Sequence, residues 1–197
     1  QQGKLISQPI KGTAKRGTNA IEDQEIIADM LRSKKEIAEN VMIVDLVRND
    51  LTRSALPGTV EATRLFEIQS FKQVHQMIST ITCVQAPHVA NVDVIRNTFP
   101  AGSMTGAPKI AAMQICDQLE SRKRGIYAGS IGYFDTVRDE FDFNVVIRSL
   151  LYNKQKRYLS FHTGGAVTNQ ADAEHEYQEC LLKASAVLKA LGTSLDE

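Results

Sequence analysis

Three cysteines, five prolines and no tryptophan in 197 residues leave little room for several kinds of protein. Cys83, Cys116 and Cys180 are odd in number and far apart, which argues against a disulfide framework or a cysteine-rich zinc site and suits a reducing cytoplasm. Charge of either sign is not in excess. Lys and Arg number 23, as do Asp and Glu, so no net field draws nucleic acid or an anionic membrane. Basic residues bunch only at Arg122-Lys123-Arg124, just beyond a predicted helix, where cations suit the negative end of the dipole. Long hydrophobic runs are missing, and the first residues lack the pattern of a signal peptide. The expectation is a cytoplasmic protein with neither a nucleic-acid nor a membrane partner. An internal repeat and a low-complexity linker are also lacking, so a single domain over residues 1–197 is the economical reading. The chain opens without Met, on Gln1-Gln2-Gly3-Lys4-Leu5, which reads as a strand already in progress. The expectation is the C-terminal part of a longer domain whose upstream half is missing.

What is present is patterned. Over residues 19–39, Ile21, Ile26, Ile27, Met30, Leu31, Ile37 and Ala38 recur at helical spacing. The β-branched run over 41–47 predicts a buried strand ending at Arg48-Asn49-Asp50, and Pro57-Gly58 marks a turn. Strands are expected over 59–68 and 77–84, and a short helix over 91–97. A helix over 108–119 carries proline in its first turn, where the missing N–H costs nothing. Strands return over 129–135, 141–152 and 157–163, and Asp172 caps a final helix running to about residue 191. Strands in consecutive blocks joined by short turns predict an α+β fold, with antiparallel sheets layered against outer helices.

Several stretches have the residue types that chemistry needs. In SQPIKGT, Lys11 stands between an isoleucine and a glycine, so it is either a solvated strand-end residue or a held amine with chemistry to do. GSMTGAPK (102–109) looks like a phosphate loop, but Ala-Pro interrupts the Gly-Lys-Ser/Thr order, which excludes nucleotide binding. What survives is either a tight turn with a helix cap or an anion site at a helix N-terminus. Glu36 and Glu39, and likewise Glu176 and Glu179, are three apart, which places each pair on one helix face. Ordinary helix formers explain such pairs, except that Glu39 would fall at a helix C-terminus, where a carboxylate is electrostatically unwelcome. A hard cation such as magnesium, which takes oxygen ligands, would offset that cost. His75 is either a hydrogen-bonded structural residue or a proton carrier near neutral pH. Arg148, expected on an alternating strand with Val146 and Leu150, needs an anion partner, either structural or from a substrate. Gly164-Gly165 offers backbone amides to a ligand or simply makes a turn.

Four of these stretches, AENVMIVDLVRNDL (38–51), FPAGSMTGAPKIAAM (99–113), IYAGSIGYF (126–134) and GGAVTNQADAEHEYQE (164–179), together resemble the chorismate-utilising enzymes. That family includes the anthranilate, aminodeoxychorismate, isochorismate and salicylate synthases, and the resemblance runs over essentially the whole chain in order. It implies part of a two-sheet sandwich that binds chorismate with Mg2+. Within the family Pro-Ile-Lys-Gly-Thr is similar to the motif of aminodeoxychorismate synthase component I, where anthranilate synthases generally carry alanine at the place of Lys11. The resemblance then implies that Lys11 is a nucleophile on the chorismate ring, and that ammonia from a glutamine amidotransferase subunit or fused domain displaces it. The product would be 4-amino-4-deoxychorismate, the precursor of para-aminobenzoate and folate. It implies Glu39 and Glu179 as direct magnesium ligands, Glu36 and Glu176 as their support through water, and His75 near the departing C4 hydroxyl. Ser103, Tyr127, Arg148, Gly165 and Lys183 would position the ring and its two carboxylates. Ala166 departs from the pattern, standing where many members have another glycine, although its N–H survives. The family's Ser-Pro-Glu motif, with a proton-transfer glutamate, would precede Lys11 by more residues than the chain has. The alternatives are an anthranilate synthase component I, with Lys11 an incidental variant, and a non-catalytic chorismate-binding fragment.

Overall fold

The computed structural model describes residues 3–72, 74–169 and 171–194; Gln1 and Gln2, expected in the first strand, lie outside the described residues. The chain forms two compact units, one of residues 1–121 with 134–141 and one of residues 122–133 with 142–197.

The first unit is built on one long strand. Residues Val74–Val84 (β4) are almost entirely buried from His75 to Cys83, and alternate side chains go to opposite faces. Both edges of β4 are paired antiparallel. Along one edge run Lys4–Ser7 (β1) and then Ile10–Lys15 (β2); along the other runs Glu61–Ser70 (β3). The turn between β1 and β2 is secured by the Ser79 N–H, which donates to Pro9 O at 3.1 Å.

Helices Ala20–Arg32 (α1) and Lys34–Thr52 (α2) contact this sheet. Asn19 caps α1, its side chain accepting from the N–H groups of Ile21 and Glu22. Ser33 then ends α1 in an extended conformation and caps α2, accepting from Glu36 N–H. This cap corrects two expectations. The β-branched run over 41–47 is helix rather than strand, because Asn40, Ile43, Val44, Leu51 and half-buried Val47 fall at helical spacing on one face. Tertiary burial of that face overrides the β preference of its valines and isoleucine. Glu39, expected at a helix C-terminus, instead lies in the second turn of α2, away from the unfavourable end, and Glu36 lies in the first turn, where the dipole favours a carboxylate. The core is made by Leu5 of β1, Val44 and Leu51 of α2, Ile81 and Cys83 of β4, and Val94 of Asn91–Thr98 (α3).

Residues 102–109 pack closely against α2 at both ends. Gly102 opens a short 3-10 turn pressed against α2, where a Cβ would stand 2.8 Å from the Leu46 side chain. Lys109 begins the next helix, Lys109–Leu119 (α4), with Pro108 at its cap. Its ammonium turns back to Asp50 Oδ2 at 2.6 Å and to the carbonyls of Thr98 and Pro100 at 3.3 and 2.8 Å. A hydrogen-bond network around the buried His75 ties α1 to β4: His75 Nε2 meets Asp23 Oδ1 at 2.9 Å and His75 Nδ1 meets Ser70 Oγ at 2.8 Å. Arg16 forks onto both Asp23 oxygens and also donates to Phe71 O, and Gly17 N–H donates to Asp23.

The second unit takes strands from two hairpins and ends in a helix. Ser130–Asp135 (β5) pairs with Glu140–Val145 (β6), the tip of that hairpin grouping with the first unit. Leu151–Asn153 (β7) pairs antiparallel with Tyr158–Ser160 (β8). The single strand expected over 141–152 is therefore two. Arg148 lies where it breaks, exposed in the connection with φ 51°, a left-handed conformation outside the regular strand range. Asp172 caps the last helix, Ala173–Leu191 (α5), as its spacing predicts, accepting from His175 N–H. Antiparallel strands with helices make the fold α+β, as expected. Among the described residues no helix is long and apolar enough to cross a membrane.

The Lys109–Asp50 pair is enclosed, the side chains 15% and 5% exposed. Asp50→Ala strands the ammonium and should cost about 3 kcal/mol in denaturant unfolding. Asp45→Ala, which breaks the exposed Asp45–Arg48 pair on the same helix, should cost less than about 1 kcal/mol. Equal losses would contradict the packing account. Asp23 yields a second expectation. The fork from Arg16, then His75 and the Gly17 N–H, hold its carboxyl well below the usual carboxylate range. The unfolded chain, with an ordinary carboxyl near about 3.9, binds the proton first. This contribution is complete above that value and is lost as the pH falls below it. Asp23→Asn should flatten the acid limb of stability, measured by urea unfolding from about pH 5 downward. An unchanged slope would contradict the network.

Candidate active site

Lys11 and Gly12 form a bulge. Ile10 pairs with Ile78 and Thr13 with Gln76, so two residues of β2 stand opposite one of β4, Met77. Bulges re-aim side chains, and this one brings Lys11 to α2: its Nζ donates to Glu39 Oε2 at 2.9 Å, with the two side chains 21% and 13% exposed. Gly12 adopts φ 95° and leaves room for Glu36; a Cβ would lie 2.9 Å from Glu36 Oε2 and 3.3 Å from Met77 Cβ. One turn of α2 thus presents two carboxylates to the bulge, as the Glu36/Glu39 spacing predicts.

His75 lies on the helix-facing side of β4, only 1% exposed, with both ring nitrogens engaged as described. A carboxylate only accepts, so Nε2 carries the proton toward Asp23. Ser103 is exposed on the 3-10 turn.

In the second unit, the loop before α5 and one face of α5 converge. Lys183 Nζ donates to Gly164 O at 3.0 Å and pairs with Glu179 Oε1 at 2.7 Å, one turn back along the helix. Gly165 approaches Glu176: a Cβ there would meet Glu176 Oε2 at 3.0 Å. The phenol of Tyr127 lies against Gly164, 2.9 Å from where a Cβ would be, and its ring stacks on His162 with centroids 5.4 Å apart. Tyr127, Gly165, Glu176, Glu179 and Lys183 are therefore gathered, whereas Arg148 stands in the exposed connection between β6 and β7.

The donor chemistry suits a cation. His175, Glu176 and Glu179 can each offer one ligand atom, all within 4.8 Å of one another. Two carboxylates in that group match the oxygen preference of magnesium. Residues that sequence reasoning passed over also gather at these places. His175 and His162 belong to the second unit, and Asn40, 1% exposed, lies beside Glu39 in the first. A polar residue at a buried helical position was the one available signal for Asn40.

Residues 1–189 match the family model described as chorismate binding enzyme. A probable aminodeoxychorismate synthase, chloroplastic, of Oryza sativa is 44% identical over 187 residues, covering 95% of this chain and 21% of that protein. Aminodeoxychorismate synthase component 1 of Salmonella typhimurium is 38% identical, with 97% of this chain and 41% of that protein covered. The crystal structure of anthranilate synthase component I from Streptococcus pneumoniae superimposes with a TM-score of 0.78 at 32% identity, over 94% of this chain and 40% of that one. The chain thus spans less than half the length of each of these proteins. Matched by the family model from its first residue to residue 189, it belongs to the chorismate binding enzyme family.

Proposed function

We propose that the protein containing this chain aminates chorismate to 4-amino-4-deoxychorismate, with Lys11 as the nucleophile. The observation that carries this reading is the placement of Lys11: a lysine on a bulge, held 2.9 Å from a carboxylate and largely withdrawn from solvent. In the proposed sequence the Lys11 amine forms a bond to C2 of the ring while the ring electrons shift and the C4 hydroxyl departs, taking up a proton as water. Ammonia then attacks C4, the electrons shift back, and the C2–Nζ bond breaks to return Lys11. The sum is chorismate and ammonia to aminodeoxychorismate and water. Covalent capture divides one difficult displacement into two easier ones.

The chain's own residues supply the rest. Glu39 accepts from the Lys11 ammonium and would hold it toward the ring until the metal is bound. The Tyr127, Gly165 and Lys183 group offers a phenol, a backbone N–H and an ammonium, suited to the two substrate carboxylates. Ser103 and Arg148 remain as further contacts on the ring and its carboxylates. The part given to His75, easing loss of the C4 hydroxyl, requires it to exchange Ser70 or Asp23 for the substrate. Magnesium is the proposed metal: the resemblance makes Glu39 and Glu179 its direct ligands, with Glu36 and Glu176 in support through water, and when bound it would neutralise a substrate carboxylate. Ammonia is proposed to come from a glutamine amidotransferase, either fused or separate, and the protein to act in the cytoplasm.

A second reading, anthranilate synthase component I, is favoured by the superposition on the streptococcal enzyme. Products separate the two. The intact protein incubated with chorismate, magnesium and an ammonium salt should accumulate 4-amino-4-deoxychorismate and release no pyruvate, and Glu179→Ala should lower turnover by at least about 100-fold. Anthranilate with stoichiometric pyruvate would establish the second reading instead.

A further inference from the structure

The register is interrupted on both edges of β4, not on one. On its far edge Arg64 pairs with Thr80 and Glu67 with Ile78, so Leu65 and Phe66 of β3 stand opposite the single residue Ser79. Phe66 has φ 57° there. The bulge on β2 stands opposite Met77, two residues along β4 and on the same face. One chain of hydrogen bonds joins the two bulges through the sheet and α2. Phe66 N–H donates to Ser79 Oγ at 3.1 Å, the Ser79 hydroxyl donates to Asn40 Oδ1 at 2.6 Å, and Asn40 Nδ2 donates to Lys11 O at 3.4 Å.

The direction of this chain is set at its Lys11 end. A carbonyl only accepts, so the Asn40 amide must offer its N–H to Lys11 O, and the Ser79 hydroxyl, accepting from Phe66 N–H, gives its one proton to Asn40 Oδ1. That sets Oδ1 toward Ser79 and turns the amide's N–H toward Lys11. The flipped amide would set an oxygen against the Lys11 carbonyl. Ser79 is 0% exposed and Asn40 1%, so water does not compete for these groups. The Lys11 carbonyl belongs to the interrupted stretch of the ladder, where a side-chain donor adds to what the neighbouring strand provides. Asn40 is such a donor, and it follows Glu39 in the sequence. Helix α2 thus grips Lys11 at both ends, at its carbonyl through Asn40 and at its ammonium through Glu39.

We propose that Asn40, oriented by Ser79, is a positioning residue for Lys11: it fixes the bulge from which the lysine reaches the ring. The inference rests on the reading of Lys11 as the nucleophile. It touches neither the substrate nor the reacting atoms, so its effect passes through Lys11.

The test is a cycle in the intact protein, with an ammonium salt as amine source. Asn40→Asp keeps the acceptor for Ser79 and loses the donor to Lys11; Ser79→Ala, a milder change, leaves the amide unoriented. Each should lower kcat, Asn40→Asp by about 10- to 100-fold, while KM for chorismate changes less than about threefold. In a Lys11→Ala background, where direct attack by ammonia supplies the remaining turnover, the same substitutions should change kcat by less than about twofold. Circular dichroism on each variant reports folding, and Ser79→Ala carries the test should Asn40→Asp fail to fold. Equal losses with and without Lys11, or a rise in KM with kcat intact, would overturn the positioning role. If Lys11→Ala retains the parent's kcat, the nucleophile reading falls and the inference falls with it. If Lys11→Ala is impaired while Asn40→Asp and Ser79→Ala match the parent, only the positioning role is lost.

Discussion

Burial of β4 on both edges constrains the first unit. A strand paired along its whole length on two sides cannot shift register without moving its alternate side chains to the wrong face. His75, Met77, Ser79, Ile81 and Cys83 must then share one face, and what they meet is dictated in turn. Ile81 and Cys83 enter the apolar core with Val44 and Leu51 of α2, Ser79 meets Asn40, and His75 meets Asp23 of α1. The polar contacts at the His75 end and the apolar ones at the Cys83 end hold the helices at a fixed position along the strand. Lys11, Glu36, Glu39 and His75 lie toward the polar end.

Within that frame, small departures from regularity do the placing. Ser33 interrupts one helix and starts another, which moves Glu36 and Glu39 from the end of a helix to the beginning of one. The bulge at Lys11 and Gly12 turns a strand residue onto those carboxylates, and Gly12 gives up its side chain so that Glu36 can approach. The second unit uses glycine in the same way, where Gly164 and Gly165 let Tyr127 and Glu176 close on the loop backbone. In both units the close approaches are made by glycine.

Much of this was legible in the sequence, for reasons that can be stated residue by residue. Asp172 announces α5 because a short acceptor before a helical run has one good use, and the two glutamate pairs lie on shared faces because helical spacing requires it. The run VMIVDLV was misread as a strand: its residues favour strands locally, and only the burial of residues 40, 43, 44, 47 and 51 against the sheet makes it helix. Arg148 was misplaced because local alternation does not reveal a left-handed residue in mid-run. The electrostatic argument that singled out Glu39 depended on a helix end that Ser33 abolishes. Asn40 escaped notice because its worth lies in a carbonyl twenty-nine residues away in the chain, brought near only by the sheet.

The account turns on one bond, from the Lys11 amine to the ring. The direct measurement is acid quench of the intact protein with chorismate in the absence of ammonia, followed by intact-mass determination and peptide mapping. The account predicts a chorismate-derived mass increment on Lys11 that disappears in Lys11→Ala. An increment mapping to Lys15 or Lys109, or one that persists in the alanine variant, would contradict it.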